Sequence, residues 1–147
     1  MGRLAAALAS VAQRRDVITL NGPLGVGKTA FARAFIGALA ARQKVEAPSE
    51  VPSPTFTLVQ TYRLGGLAVW HFDLYRLARP EDALELGIDE AFAEAVTLIE
   101  WPDRLGRQLP ENRLDVVLSF EHPDHPEARR AVLTGHGTWT ERMPHVT

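Results

Sequence analysis

At 147 residues, 46% hydrophobic and with a formal net charge of −2, the chain fits one compact domain, 1–147, and has no bulk basic field that would argue for nucleic acid. It has no cysteine, which removes disulfides, thiolate zinc sites and cysteine nucleophiles together. No apolar run approaches the ~18 residues of a membrane span and no signal peptide precedes the first predicted strand, so a cytoplasmic protein without a membrane partner is expected.

Leu4, Leu8 and Val11, spaced i, i+4 and i+7, predict a short amphipathic helix within Gly2–Gln13. Val17-Ile18-Thr19-Leu20 follows as a short unalternating strand, the kind buried on both faces of a parallel sheet. After a glycine-rich stretch, Phe31, Phe35 and Leu39 form one stripe of a second helix that ends before Pro48. Pro48, Pro52 and Pro54 make Ala47–Pro54 a loop. Thr55–Arg63 reads as a strand with Phe56, Leu58 and Tyr62 on one face. Gly65-Gly66 turns it into a returning strand, Leu67–Tyr75.

Pro80-Glu81-Asp82 opens a helix that Gly87 ends or kinks, with a further turn through Ala91 and Phe92. Val96–Ile99 is the next buried strand, running into Glu100-Trp101-Pro102, and a short helix is expected around Asp103–Gln108. Arg113–Phe120 and Ala128–Thr134 are closing strands, and the tail from Gly135 is expected to be polar and loose. An antiparallel hairpin placed after the second helix does not belong in a plain βαβ unit. The expected fold is therefore a single-domain, three-layer α/β fold of the P-loop NTPase kind, with a mixed sheet: a parallel core plus the antiparallel hairpin and closing strands.

The stretch Gly22-Pro23-Leu24-Gly25-Val26-Gly27-Lys28-Thr29 lies between the first strand and the second helix and matches G-x-x-x-x-G-K-[ST]. Only Lys28 and Lys44 of the 16 basic residues are lysines, and the pattern would arise by chance in roughly one of a thousand such chains. Glycines let the backbone approach a phosphate, and successive N–H groups at a helix N-terminus form an anion-binding nest. Gly22, Leu24, Gly25, Val26, Gly27, Lys28, Thr29 and Ala30 are thus the candidate nucleotide-binding residues, with Lys28 reaching the β- and γ-phosphates and the Thr29 hydroxyl ligating Mg²⁺.

Such a site needs carboxylates at the ends of neighbouring strands. Asp73 and Glu100 have that placement and could ligate the metal, hold one of its waters or orient the attacking water. Ser53-Pro54-Thr55-Phe56-Thr57 is either a switch segment that orders around γ-phosphate or an ordinary strand start. Trp101 is either a core residue or a neighbour of the nucleotide. His71 shares a strand face with Asp73 and reads as a structural histidine more readily than as a proton relay. His122, His125, His136 and His145 lack metal-ligand spacing. Arg76, Arg79, Arg129 and Arg130 face a nucleotide, a partner or solvent.

Together with Ser53-Pro54-Thr55-Phe56-Thr57-Leu58-Val59, His71-Phe72-Asp73-Leu74-Tyr75-Arg76-Leu77 and Ile99-Glu100-Trp101-Pro102, the phosphate loop resembles the TsaE (YjeE) family, small P-loop ATPases of bacterial tRNA threonylcarbamoyladenosine synthesis. The resemblance covers about Asp16 to Pro102. It implies ATP as substrate and Mg²⁺ as cofactor, with Glu100 as the essential acid, Asp73 as its companion and Trp101 beside the nucleotide. Ser53, Thr55 and Thr57 would form the switch. It also implies work on a complex of TsaB and TsaD, with direct tRNA contact left open. The chain departs from the family in having Pro23 where Asp is usual, and in entering its first helix where relatives carry residues able to form a strand. The alternatives are a small-molecule kinase, although no long lid insertion is visible, and a nucleotide-gated binding module. A GTPase is disfavoured because no Asn-Lys-x-Asp is present.

Overall fold

The computed structural model describes residues 2–142. Because Val17-Ile18-Thr19-Leu20 presents no charged side chain on either face, it sits in the middle of the sheet as β1 (Val17–Asn21). It pairs in parallel with β4 (Val96–Glu100) on one side and β5 (Arg113–His122) on the other. β3 (Leu67–Asp73) adds to β4 in parallel, and β2 (Val59–Leu64) folds back on β3 through the Gly65-Gly66 turn. β6 (His125–His136) closes the opposite edge antiparallel to β5. The order is β2-β3-β4-β1-β5-β6, the mixed sheet expected from sequence.

Helices cover both faces. α1 (Gly2–Val11) and α2 (Lys28–Arg42) pack Leu8, Phe31, Phe35 and Leu39 against Ile18, Leu20, Leu98 and Val116. The guanidinium of Arg42 joins the two helices by donating to the carbonyls of Ala9 and Ala12, at 2.6 and 2.7 Å. These carbonyls lie at and just past the end of α1, where regular i+4 donors run out; that of Ala9 also accepts the Ala12 N–H at 3.4 Å. On the other face, α3 (Ile88–Glu94) and two 3-10 helices, Pro80–Leu86 and Pro102–Gln108, pack Ile88, Ala83 and Leu105 on Val17, Phe72 and Ile99. Among the described residues no helix is long and apolar enough to cross a membrane.

Several expectations need correction. Thr55–Leu58 is a turn, not the start of a strand. The Leu58 N–H donates back to the Pro54 carbonyl at 2.7 Å, and Leu58 takes a left-handed φ of 68°. The proposed common face of Phe56, Leu58 and Tyr62 therefore does not exist, and Phe56 is 80% exposed. β3 stops at Asp73 instead of Tyr75: the Leu74 N–H makes the last rung to β4, donating to the Glu100 carbonyl at 3.1 Å, and the Tyr75 N–H turns back to the Asp73 carboxylate at 3.1 Å. The helix opened by Pro80 is of the tighter 3-10 type, and Gly87 at φ 84° separates it from α3. The closing strands are longer than expected and reach His122 and His136.

The tail is also tied down as far as it is described. α4 (Trp139–Arg142) buries Trp139 completely. A Cβ on Gly135 would lie 2.7 Å from the Trp139 carbonyl oxygen, so only glycine allows this approach. Arg142 then grips both carboxylate oxygens of the buried Asp16, each at 2.7 Å, and donates to the Val11 carbonyl. The remainder of the expected loose tail, residues 143–147, lies outside the described residues.

Two stability predictions follow from these pairs. Asp16→Ala leaves the Arg142 guanidinium largely buried without its counter-ion and should cost about 3 kcal/mol in urea unfolding. Burial pushes the Asp115 carboxyl up, but hydrogen bonds from Thr19 and Arg113, the Arg113 charge and His136 outweigh it and hold it below the usual 3.8. A lowered folded-state value means this stabilisation is complete above about pH 4 and is lost as pH falls through the folded value. The urea midpoint should drop over that acid range, and it should drop less steeply in Asp115→Asn.

Candidate phosphate-binding site

The site is assembled where three parallel strands end together. Leu20 of β1 and Asp73 of β3 are both register partners of Glu100 on β4. From Asn21 the chain enters the loop 22–27, and α2 begins at Lys28. Gly22, Gly25 and Gly27 have φ values of 145°, 78° and 111°, which side chains rarely tolerate. At Gly22 space forbids one too, since a Cβ would lie 2.5 Å from the Leu118 carbonyl oxygen. The first N–H groups of α2, those of Lys28, Thr29 and Ala30, have no intrahelical partner and open at this end.

A cleft of about 250 Å³ is lined by Leu24, Gly25, Gly27, Lys28, Thr29, Ser53, Thr55, Asp73, Glu100 and Trp101. Most residues singled out from sequence thus meet in one place. Of the others, Gly22 shapes the loop from behind, the Val26 side chain is buried in the core, and Ala30 is exposed. Thr57 is turned away, its hydroxyl accepting from Gln60 at 3.2 Å.

Within the cleft, Lys28 Nζ donates to the carbonyls of Gly22 and Pro23 at 2.6 and 2.8 Å and lies 4.4 Å from the centre of the Trp101 ring. Burial lowers its pKa below the usual 10.5, against the opposing pull of Glu100 and Asp73. Trp101 is held in a left-handed conformation at φ 59°, half-buried, with its ring 4.9 Å from that of Tyr75. It borders both the cleft and the hydrophobic cluster beneath.

The two acids have different neighbours. Glu100 Oε2 accepts the Thr29 hydroxyl at 2.9 Å. Asp73 sits one strand further out. Its Oδ1 accepts the Tyr75 N–H at 3.1 Å, and its Oδ2 accepts the Thr55 hydroxyl at 3.3 Å, with Ser53 Oγ 2.7 Å from Thr55 Oγ1. Asp73 is therefore the acid linked to the 53–55 loop, and Glu100 is the acid linked to the helix start. A hydroxyl beside two carboxylates is a hard oxygen set that fits Mg²⁺. Among the described residues no group of three or more His, Cys, Asp or Glu could hold a metal.

His71 was read with Asp73, but its partner is Glu100. Its Nε2 lies 2.7 Å from Glu100 Oε2, both residues are buried, and its Nδ1 has no partner. With Nδ1 unpartnered, the contact is served by an N–H on Nε2 that donates to the carboxylate. The signal for this was present only as a strand face shared by His71 and Asp73. Arg129, left ambiguous by the sequence, donates from Nε to the Val26 carbonyl of the loop at 2.9 Å. Arg76 lies over the Phe56 ring, Arg79 pairs with Asp82 and Glu81, and Arg130 is exposed. His136 meets Asp115 at 2.9 Å, and His145 is outside the described residues.

The family model for the threonylcarbamoyl adenosine biosynthesis protein TsaE matches residues 1–131. The tRNA threonylcarbamoyladenosine biosynthesis protein TsaE of Rickettsia bellii is 38% identical over 120 residues, covering 82% of this chain and 80% of that protein. Its counterpart in Bacillus subtilis is 38% identical over 120 residues, covering 81% and 71%. The crystal structure of Bacillus subtilis YdiB matches with a TM-score of 0.68 at 29% identity, covering 95% of this chain and 82% of that one.

The His71–Glu100 contact can be tested by stability alone. His71→Leu should cost about 1–3 kcal/mol in urea unfolding by leaving a buried carboxylate short of a donor. His71→Gln places an amide nitrogen at the same bond distance from Cα as Nε2, and should recover most of that loss.

Proposed function

The chain belongs to the TsaE family of tRNA threonylcarbamoyladenosine biosynthesis, and on this premise we propose that it is a cytoplasmic ATPase that binds ATP with Mg²⁺ in this cleft and hydrolyses it in complex with TsaB and TsaD. The observation that carries the reading is the Thr29 hydroxyl donating to Glu100 beside the glycine loop, with Lys28 at the same mouth. In P-loop enzymes the hydroxyl after the lysine and a carboxylate on a neighbouring strand share the metal. Mg²⁺, when bound, neutralises charge on the β- and γ-phosphate oxygens, with Thr29, Glu100 and Asp73 as the residues that would hold it.

The chain's own groups do the rest. N–H groups of the loop and the start of α2 receive phosphate oxygens, and Lys28 exchanges its carbonyl partners for them. That exchange brings a phosphate's negative charge to a lysine whose proton is held less tightly than usual. Glu100 keeps Oε2 on Thr29 and His71, which leaves Oε1 for the cleft. Asp73, tied to Thr55 and through it to Ser53, would orient the attacking water and report the γ-phosphate to the 53–55 loop. Trp101 shields the lysine side of the site. Thr57 has no part in this arrangement.

The direct test is ATP hydrolysis with and without Mg²⁺, by the protein alone and then with TsaB and TsaD. Slow turnover that rises with both partners is expected; binding without turnover even then would favour a nucleotide-gated binding module. Lys28→Ala should abolish ATP binding, whereas Glu100→Ala should keep affinity within a few-fold and lose turnover by on the order of 100-fold. Near-normal turnover in Glu100→Ala would remove that acid from the chemistry. Because the folded Lys28 gives up its proton below the usual 10.5, ATP affinity should weaken on the alkaline side before that pH is reached.

A further inference from the structure

The β5–β6 hairpin lies outside the sequence motifs of the cleft, yet it touches the phosphate loop at two points. The Leu118 carbonyl leaves no room for a side chain on Gly22, and Arg129 reaches from β6 to the Val26 carbonyl across 103 positions of sequence. Arg129 is half-buried. Its guanidinium lies 4.4 Å from the centre of the Phe120 ring, and Phe120 is its cross-strand partner. Nε donates to Val26, while Nη1 donates to the carbonyls of Pro126 and Ala128. Every one of these acceptors is a main-chain carbonyl, so the side chain is used to hold backbone in place.

We propose that Arg129 is a positioning residue of the phosphate cradle, aiming the Gly27 N–H by pinning the other end of the same peptide unit. The Val26 carbonyl and the Gly27 N–H belong to one planar trans peptide and point in opposite directions. Drawing the oxygen toward Arg129 turns the N–H away from it. The unit needs such a brace, because Gly27 at φ 111° sits where glycine has several conformations of similar energy. The Val26 side chain, fully buried, anchors one side of the unit. A charge-assisted hydrogen bond to the carbonyl supplies the other and is about twice as strong as a neutral one. Val26 N–H is also occupied, donating to Pro23 at 3.3 Å, so the loop is closed on itself as well as braced.

The inference rests on the nucleotide reading of the cleft and refines it. A brace on the loop acts on bound phosphate and not on the transferred group, so ADP and ATP should be affected alike. The test compares Arg129→Met, which reaches as far as the arginine Nε without a donor, with Arg129→Gln, whose Nε2 stands at the same bond distance from Cα as the arginine Nε. ADP and ATP affinities are measured by calorimetry on the full chain, with turnover at saturating ATP and the nucleotide-free unfolding midpoint alongside.

Arg129→Met should bind both nucleotides about tenfold more weakly. Arg129→Gln should return to within about threefold of the parent, the two variants having the same unfolding midpoint. Parent-like binding by Arg129→Met, or equal weakening in both variants, overturns the proposal. Lys28→Ala separates the two levels. If the parent binds nucleotide, Lys28→Ala does not, and Arg129→Met matches the parent, only the role of Arg129 falls. If the parent binds neither nucleotide, the reading of the cleft falls and the role of Arg129 falls with it.

Discussion

The parallel pairing of β4 with β1 on one side and β3 on the other sets Leu20, Asp73 and Glu100 level with one another, and everything at the cleft depends on that level. A side chain in a strand can face only one of two sides, and all three residues face α2. The loop after β1 therefore rises beside two carboxylates, and the helix it launches presents Lys28 and Thr29 to them. A slip of one residue between β1 and β4 would turn Glu100 to the opposite face and leave Thr29 without its acceptor, and a slip between β3 and β4 would turn Asp73 away.

That geometry concentrates charge in a place with little water. Lys28, Asp73 and Glu100 are all nearly buried, and each meets its cost differently. Lys28 uses two loop carbonyls and the face of Trp101. Glu100 takes hydroxyl and imidazole donors, and Asp73 takes an N–H and a hydroxyl from segments outside the sheet. The three groups hold each other without any direct lysine–carboxylate bond. Lys28 is thus held by neutral groups only, two carbonyls and a ring face, and its charge has no carboxylate bonded to it.

The edges of the molecule support the same arrangement. Arg42 joins α1 to α2, and the Asp16–Arg142 pair ties the chain just before β1 to the final described helix. Both ends of β1 are thereby restrained, the lower by Asp16 and the upper by the loop that Arg129 touches. The exposed Phe56 and the turn at Thr55–Leu58 lie on the opposite rim, where Asp73 connects them to the cleft through Thr55.

The glycine loop between β1 and α2, the buried strands, the hairpin at Gly65-Gly66 and the mixed sheet were legible in the residues, because each rests on local chemistry: glycine spacing, unalternating apolar runs, turn residues. The likeness of four short motifs to one family was legible for the same reason. Thr55–Leu58 was misread as strand because the β-propensity of Thr and Phe is a weak preference, and a hydrogen bond from Leu58 back to Pro54 overrode it. Lys28, Thr29, Asp73 and Glu100 were identifiable one by one, but their pairing was not. That Thr29 bonds Glu100, that His71 stands behind Glu100 and not beside Asp73 as its partner, and that Arg129 and Arg142 reach across the chain to Val26 and Asp16 all follow from strand order and register. Those are set by how two hydrophobic clusters close on either side of the sheet, a long-range packing result that no local stretch of residues encodes.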